Sequence, residues 1–216
     1  MNQKQPDRQA IPVSVKTRLG FDSNIIDTWL PELLATHPAV ITLHGRTLKQ
    51  AYTGQADWQA IAQAVKIRDE FFASQKLLKN QLCKIVQHST ANYRSKTLIF
   101  GNGDVSCYSE ALEKMKQTKV DGVLIGRASF GKPWVFNKQP AIVQLTQSKI
   151  ALEHAKLYEQ TYQKLNKKFP KIFAYSFLPM RKHLAWYIKG VPGAVSIRSQ
   201  LVQTDNYNQV KEILNP

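Results

Sequence analysis

Four times in its first two-thirds the chain pairs a short apolar run with a stretch of helical spacing. Val13-Ser14-Val15, Ala39-Val40-Ile41-Thr42-Leu43, Leu98-Ile99-Phe100 and the run 120–125 read as strands. Residues 25–35, a segment beginning near Asp57 with Trp58, Ile61, Ala62 and Val65, and residues 109–116 read as helices. A cap is expected near 22–24 for the first of these and at Ser109 for the last. Strand and helix alternating in this way imply parallel strands joined by crossover helices.

Each strand closes in a polar or glycine-bearing cluster: Lys16-Thr17-Arg18, His44-Gly45-Arg46, Gly101-Asn102-Gly103-Asp104 and Gly126-Arg127. One such cluster is an ordinary turn. Four in succession match the active face of an α/β barrel, which is built from strand C-termini. A complete (β/α)8 TIM barrel takes about 250 residues. Four units are half of that, so the expectation is the C-terminal half of such a barrel over residues 1–146. Either a missing N-terminal segment or self-association of two copies would complete it, and a truncated chain is the favoured explanation.

From 147 the pattern changes. Residues 150–165 and 174–188 read as amphipathic helices, Gly190-Val191-Pro192-Gly193 breaks the chain, and a last helical stretch from 196 is interrupted near 204–206. Residues 147–216 are therefore expected to form a small all-α helical domain. The connection 67–97 is unusually long. Leu78, Leu82, Ile85 and Val86 have helical spacing within it, which predicts an added or extended helix.

Charge narrows the partner. The chain carries a net +15, which favours nucleic acid or an anionic membrane surface. Residues 147–216 hold eleven Lys and Arg against four Asp and Glu, while 1–146 hold nineteen against eleven. The tail is thus the expected contact surface. No apolar stretch approaches the roughly 20 residues that span a bilayer, and the polar start does not resemble a signal peptide. Two cysteines, Cys83 and Cys107, make neither a disulfide scaffold nor a zinc site. A reducing cytoplasm is the simple reading, and no metal is expected.

Glycines in Gly101-Asn102-Gly103-Asp104 let the backbone approach an anion and present amide hydrogens to it. Arg127 after Gly126 adds a charged fork suited to phosphate oxygens. Loops after the last two strands are the usual barrel phosphate site. Lys16 can stabilise developing negative charge or hydrogen-bond a substrate carbonyl, and His44 can donate to a bound ligand. Arg18 and Arg46, on the same face, are candidates for contact with substrate or RNA phosphate.

These residues together resemble the tRNA-dihydrouridine synthases. The resemblance rests on Val13-Ser14-Val15-Lys16-Thr17-Arg18-Leu19-Gly20 and Thr42-Leu43-His44-Gly45-Arg46-Thr47. Tyr52-Thr53-Gly54 and Ala56-Asp57-Trp58 follow, then Gly101-Asn102-Gly103-Asp104-Val105. Asp121-Gly122-Val123-Leu124-Ile125-Gly126-Arg127-Ala128 and Gly131-Lys132-Pro133-Trp134 complete the series. In the tail, Met180-Arg181-Lys182-His183-Leu184 and Gly190-Val191-Pro192-Gly193-Ala194 resemble the family's helical RNA-binding domain. The resemblance implies an FMN enzyme that reduces the C5–C6 bond of specific uridines in tRNA, with NADPH as electron donor. It implies Lys16 and His44 at the flavin and uracil, Asn102, Gly103 and Asp104 at the ribityl-phosphate, and Gly126 and Arg127 at the phosphate. Arg181, Lys182, His183 and Arg198 are the implied RNA contacts of the tail. The family's catalytic cysteine belongs to the first half of the barrel, and neither Cys83 nor Cys107 fits its motif, so no catalytic residue is assigned in this chain. Two other readings use the same residues. One is a non-catalytic RNA-binding remnant. The other is a phosphate-binding barrel acting on a small metabolite, which leaves the basic tail without a role.

Overall fold

The computed structural model describes residues 11–83, 96–138, 147–190 and 192–215. They form two compact units that divide between Gly126 and Arg127.

The first unit is built on strands β1 (Ser14–Arg18), β2 (Val40–His44), β3 (Leu98–Asn102) and β4 (Gly122–Leu124). They lie side by side in chain order, all parallel. Helices α1 (Ile26–Ala35), α2 (Trp58–Cys83) and α3 (Tyr108–Thr118) make the crossovers. This is the expected α/β architecture, a partial TIM-barrel-type fold with a helical part after it.

Side chains alternate across a strand, and here the alternation separates two jobs. Ile41, Leu43 and Ile99 are fully buried against Leu30 and Leu34 of α1 and Ile61 of α2. Each such side chain contributes roughly 1.5–3 kcal/mol by leaving water. The opposite face carries Lys16 and Arg18, Thr42 and His44, Phe100 and Asn102. A Cβ at Gly122 would sit 2.9 Å from the Phe100 ring on that second face, while a Cβ at Gly101 would sit 2.5 Å from Trp58 on the helix face.

Helix α1, which runs through Pro31, stops where His37 takes a left-handed φ of 52° ahead of Pro38, a residue pair that closes the last turn and turns the chain away. Its expected cap is there in part: Asn24 Oδ1 accepts the Ile26 amide at 3.2 Å. Helix α3 is begun not by Ser109 but by Cys107, with no side-chain cap bond. Glu110 instead reaches back to the Ser106 amide at 2.8 Å. Helix α2 runs unbroken for 26 residues, so Leu78 and Leu82 belong to an extended helix; Ile85 and Val86 lie outside the described residues. By Arg68 the helix has reached the start of β3. Arg68 pairs with Asp121, whose Oδ2 also accepts the Ile99 amide at 2.7 Å.

The second unit consists of two 3-10 turns, Arg127–Ser129 and Pro133–Phe136, followed by helices α4 (Gln147–Lys168), α5 (Leu178–Tyr187), α6 (Ala194–Leu201) and α7 (Tyr207–Leu214). Ala151 and Ala155 of α4, Met180 and Leu184 of α5, Leu201 and Val210 are all fully buried in one core. The turns ahead of 147 group with these helices because Gly131 packs on the end of α5: a Cβ there would stand 2.3 Å from the Trp186 carbonyl oxygen. No helix is long and apolar enough to cross a membrane, and no group of three or more potential metal ligands occurs, among the described residues.

Candidate functional site: the C-terminal rim of the sheet

Strand register sets the site. Arg18 stands beside His44, His44 beside Asn102, and Asn102 beside Leu124. Lys16, two residues before Arg18, shares its face. Arg18, His44 and Asn102 thus lie at the C-terminal ends of three adjacent strands on the face away from the helices, with Lys16 one layer deeper on that face, level with Thr42 and Phe100. Arg127 follows the end of β4 by three positions and opens the first turn of the second unit.

The loops beyond these strands are laced together by backbone. The Gly45 amide donates to Asn102 O at 3.0 Å, and the Asp57 amide to Gly45 O at 2.6 Å. Asn102 Nδ2 donates to Leu124 O at 3.0 Å, tying β3 to β4. Gly103 has φ 132°, and a Cβ on it would stand 2.5 Å from the Ala56 Cβ; only glycine fits this turn. Its carbonyl accepts Trp58 Nε1 at 3.0 Å.

Arg46 organises the whole rim. It is 2% exposed. Nε donates to Thr53 O at 3.1 Å and Nη2 to Gly54 O at 2.6 Å. Nη1 and Nη2 hold the Asp104 carboxylate in a fork at 3.0 and 2.5 Å. Asp104 Oδ2 also takes the Ala56 amide at 2.8 Å. Arg46 was expected to touch substrate or RNA phosphate, and Asp104 to meet a phosphate. In the structure four guanidinium hydrogen bonds of Arg46 end inside the protein, two of them on the Asp104 carboxylate. Arg18 is half-committed, with Nη1 donating to Thr47 O at 2.9 Å and Ala51 O at 3.3 Å.

His44 is the exception to this satisfied network. Its Nδ1 is buried and has no hydrogen-bond partner among the described residues. Burial first, then the charges of Arg18, Lys16 and Arg46, pull its pKa down to about 4, against a smaller opposing pull from Asp104. The imidazole is therefore neutral near pH 7. Burial and Arg18 also lower Lys16. A neutral ring with an unmet nitrogen, set among three cations, has the chemistry to suit a polar ligand carrying negative charge. Beside it, an open pocket of about 620 Å³ runs along β1, lined by Lys16, Thr17, Arg18, Gly20, Phe21, Trp29 and Leu48.

In the helical unit the implied RNA contacts divide in the same way. Arg181 Nε donates to Thr204 O at 2.8 Å and its Nη2 pairs with Asp205. Arg198 Nη1 donates to Ile188 O at 3.0 Å, beyond the end of α5. Both act within the fold. Lys182 is exposed, and His183 is half-buried beside it. Sequence reasoning passed over Trp58 as a rim residue, although its place just after Gly54-Gln55-Ala56-Asp57 and at the start of a helix is visible. It also passed over Trp186 and Phe130, for which no spacing gave a signal.

Fold and rim together define an α/β barrel-type chain with a cationic cluster toward the C-terminal ends of its strands. The family model described as dihydrouridine synthase matches residues 3–70 and 81–215, and the chain belongs to that family. Over 208 residues it is 29% identical to the "Probable tRNA-dihydrouridine synthase 1" of Synechocystis sp., covering 95% of this chain and 51% of that protein. A "Probable tRNA-dihydrouridine synthase" of Mycobacterium leprae is 31% identical over 219 residues, with 95% and 47% covered. The "Probable tRNA-dihydrouridine synthase 2" of Bacillus subtilis is 29% identical over 206 residues, with 95% and 54% covered. The chain spans about half the length of the curated relatives it matches.

Proposed function

We propose that this chain is the FMN- and tRNA-handling part of a tRNA-dihydrouridine synthase. The observation that carries the reading is the buried, unpartnered Nδ1 of His44 among Lys16, Arg18 and Arg46. That donor set fits a flavin, a heterocycle rich in acceptors whose reduced form is anionic. Lys16 and His44 would hold the ring or the uracil beside it. Asn102, the Gly103 turn, Gly126 and Arg127 would hold the ribityl-phosphate, with Arg46 and Asp104 fixing the loops rather than touching the ligand. Bound FMN supplies hydride transfer to the uracil C5–C6 bond, with NADPH as the electron source.

The chain's own residues would orient the base, and among the described residues neither cysteine stands at the rim as a proton donor. Cys107 Sγ contacts Ser109 Oγ at 3.1 Å at the start of α3. Cys83 is the last residue of α2, fifteen residues beyond Arg68, where the helix is already level with the start of β3. The target uridine must leave its stack, at a cost of a few kcal/mol. The basic helical domain, with Lys182 and His183 as contacts, would offset this through the RNA backbone.

Titration of the purified chain with FMN, followed by flavin fluorescence, tests the reading. Weak but saturable binding is expected, lost in Lys16→Met and His44→Leu, together with tRNA binding that weakens steeply as salt rises. Uridine reduction by this chain alone is not expected. Binding of tRNA with no flavin effect would instead support an RNA-binding remnant. A flat salt response would remove tRNA from the picture.

A further inference from the structure

Within the second unit, the turn 127–138 meets helix α5 through an aromatic stack. The left-handed φ of 68° at Gly131 and its contact with the Trp186 carbonyl lay the turn directly on the end of the helix. Phe130 is thereby set flat on the Trp186 indole, with ring centroids 4.1 Å apart and planes 3° apart. Lys182, one helical turn earlier, places Nζ 5.0 Å from the indole centroid. His183 meets the same indole edge-on at 5.1 Å.

Phe130 nevertheless stays 43% exposed. One of its faces is covered by the indole, so the exposure belongs to the other face and the outer edge. A phenyl ring held rigid with a face in water is unlike a core residue, which turns both faces inward. The unit that carries it is basic, with fourteen Lys and Arg against four Asp and Glu over residues 127–216, and Lys182 stands at the stack itself. A fixed aromatic face within a basic surface is how proteins hold unpaired bases, because every base has a π-face and every nucleotide a phosphate. Base-paired RNA hides its base faces and offers mainly its backbone.

We propose that Phe130, backed by Trp186 and Lys182, is a stacking platform for one unpaired base of the RNA. The choice of RNA as partner rests on the function proposed above; the platform rests on the ring geometry. Fluorescence anisotropy with the full chain tests it, using a labelled single-stranded oligoribonucleotide, a duplex of the same length and whole tRNA. Phe130→Leu should weaken single-strand binding on the order of tenfold and leave duplex binding unchanged. Phe130→Trp should keep it, and circular dichroism should show both variants folded. Equal single-strand affinity for Phe130→Leu and wild type overturns the platform, and leaves a protein surface as the ring's other use. Equal losses on single strand and duplex overturn it too, as a general effect on the surface. If the wild-type chain binds no tRNA at all, the proposed function falls and the platform with it.

Discussion

Asp104→Asn separates a structural clamp from a ligand contact. The wild-type carboxylate accepts two guanidinium bonds from Arg46 and one from the Ala56 amide. Asparagine keeps one oxygen and turns an amino group toward one of these donors, so Arg46, at 2% exposure, loses its counter-charge. Breaking a fully buried pair costs about 3–5 kcal/mol. Here the Asp104 side chain is 32% exposed, and water screens part of the loss, which brings the expectation to about 2–3 kcal/mol. Asparagine also tolerates the left-handed φ of 54° found at Asp104, so backbone strain adds nothing. Urea denaturation should show a midpoint about 1 M lower, on a slope of about 2–3 kcal/mol per M. Exchange of the Ala56 amide should accelerate in the same variant. In the cycle with Arg46→Met, the double variant should be less unstable than the sum of the singles. A midpoint within about 0.2 M of wild type, with unchanged Ala56 exchange, would refute the clamp.

His44 should titrate far below ordinary histidine, because burial and three cations oppose its protonation. Its ring protons in NMR should report a midpoint near 4; a midpoint near 6.5 would show an open, unperturbed ring. The linked stability has a definite sign: the unfolded state takes up the proton first, so this histidine's contribution falls as pH drops from about 6.5 to about 4 and is flat above. Lys16→Met or Arg18→Met should raise the midpoint. Gly101→Ala should cost about 1–3 kcal/mol by overpacking, since its Cβ would stand 2.5 Å from the Trp58 ring; a melting temperature equal to wild type would mean that Trp58 has room to move.

Strands were legible because each is an apolar run followed by glycine or a charge, and period-2 alternation needs no partner to be seen. His44 and Asn102 could be placed at one rim because parallel strands end together, whereas Lys16, read as a strand end, sits one layer deeper on the same face. The duties of Arg46 and Asp104 could not be read. They lie far apart in sequence, and Arg46's other partners are backbone carbonyls, which leave no mark in composition. The internal bonds of Arg181 and Arg198 were hidden for the same reason, since a basic tail looks equally basic whether or not its arginines tie helices together. Phe130 and Trp186 meet only through the tertiary approach of Gly131, so neither helical nor strand spacing pointed to their stack.

Helix α2 has a consequence for how this chain has grown. Its 26 residues measure about 39 Å, against about 17 Å for a five-residue strand. It starts beside the Gly103 turn and is level with the foot of β3 by Arg68. Phe71 and Phe72 still pack against the core of the first unit, so the eleven residues from Ala73 to Cys83 carry the helix on for about 16 Å as an outrigger on the side remote from the rim. Most of the stretch 71–80, where the family match breaks off, falls inside that projection. Length can be added or trimmed there without moving a single rim side chain, which leaves the outrigger free to change while the rim stays as it is.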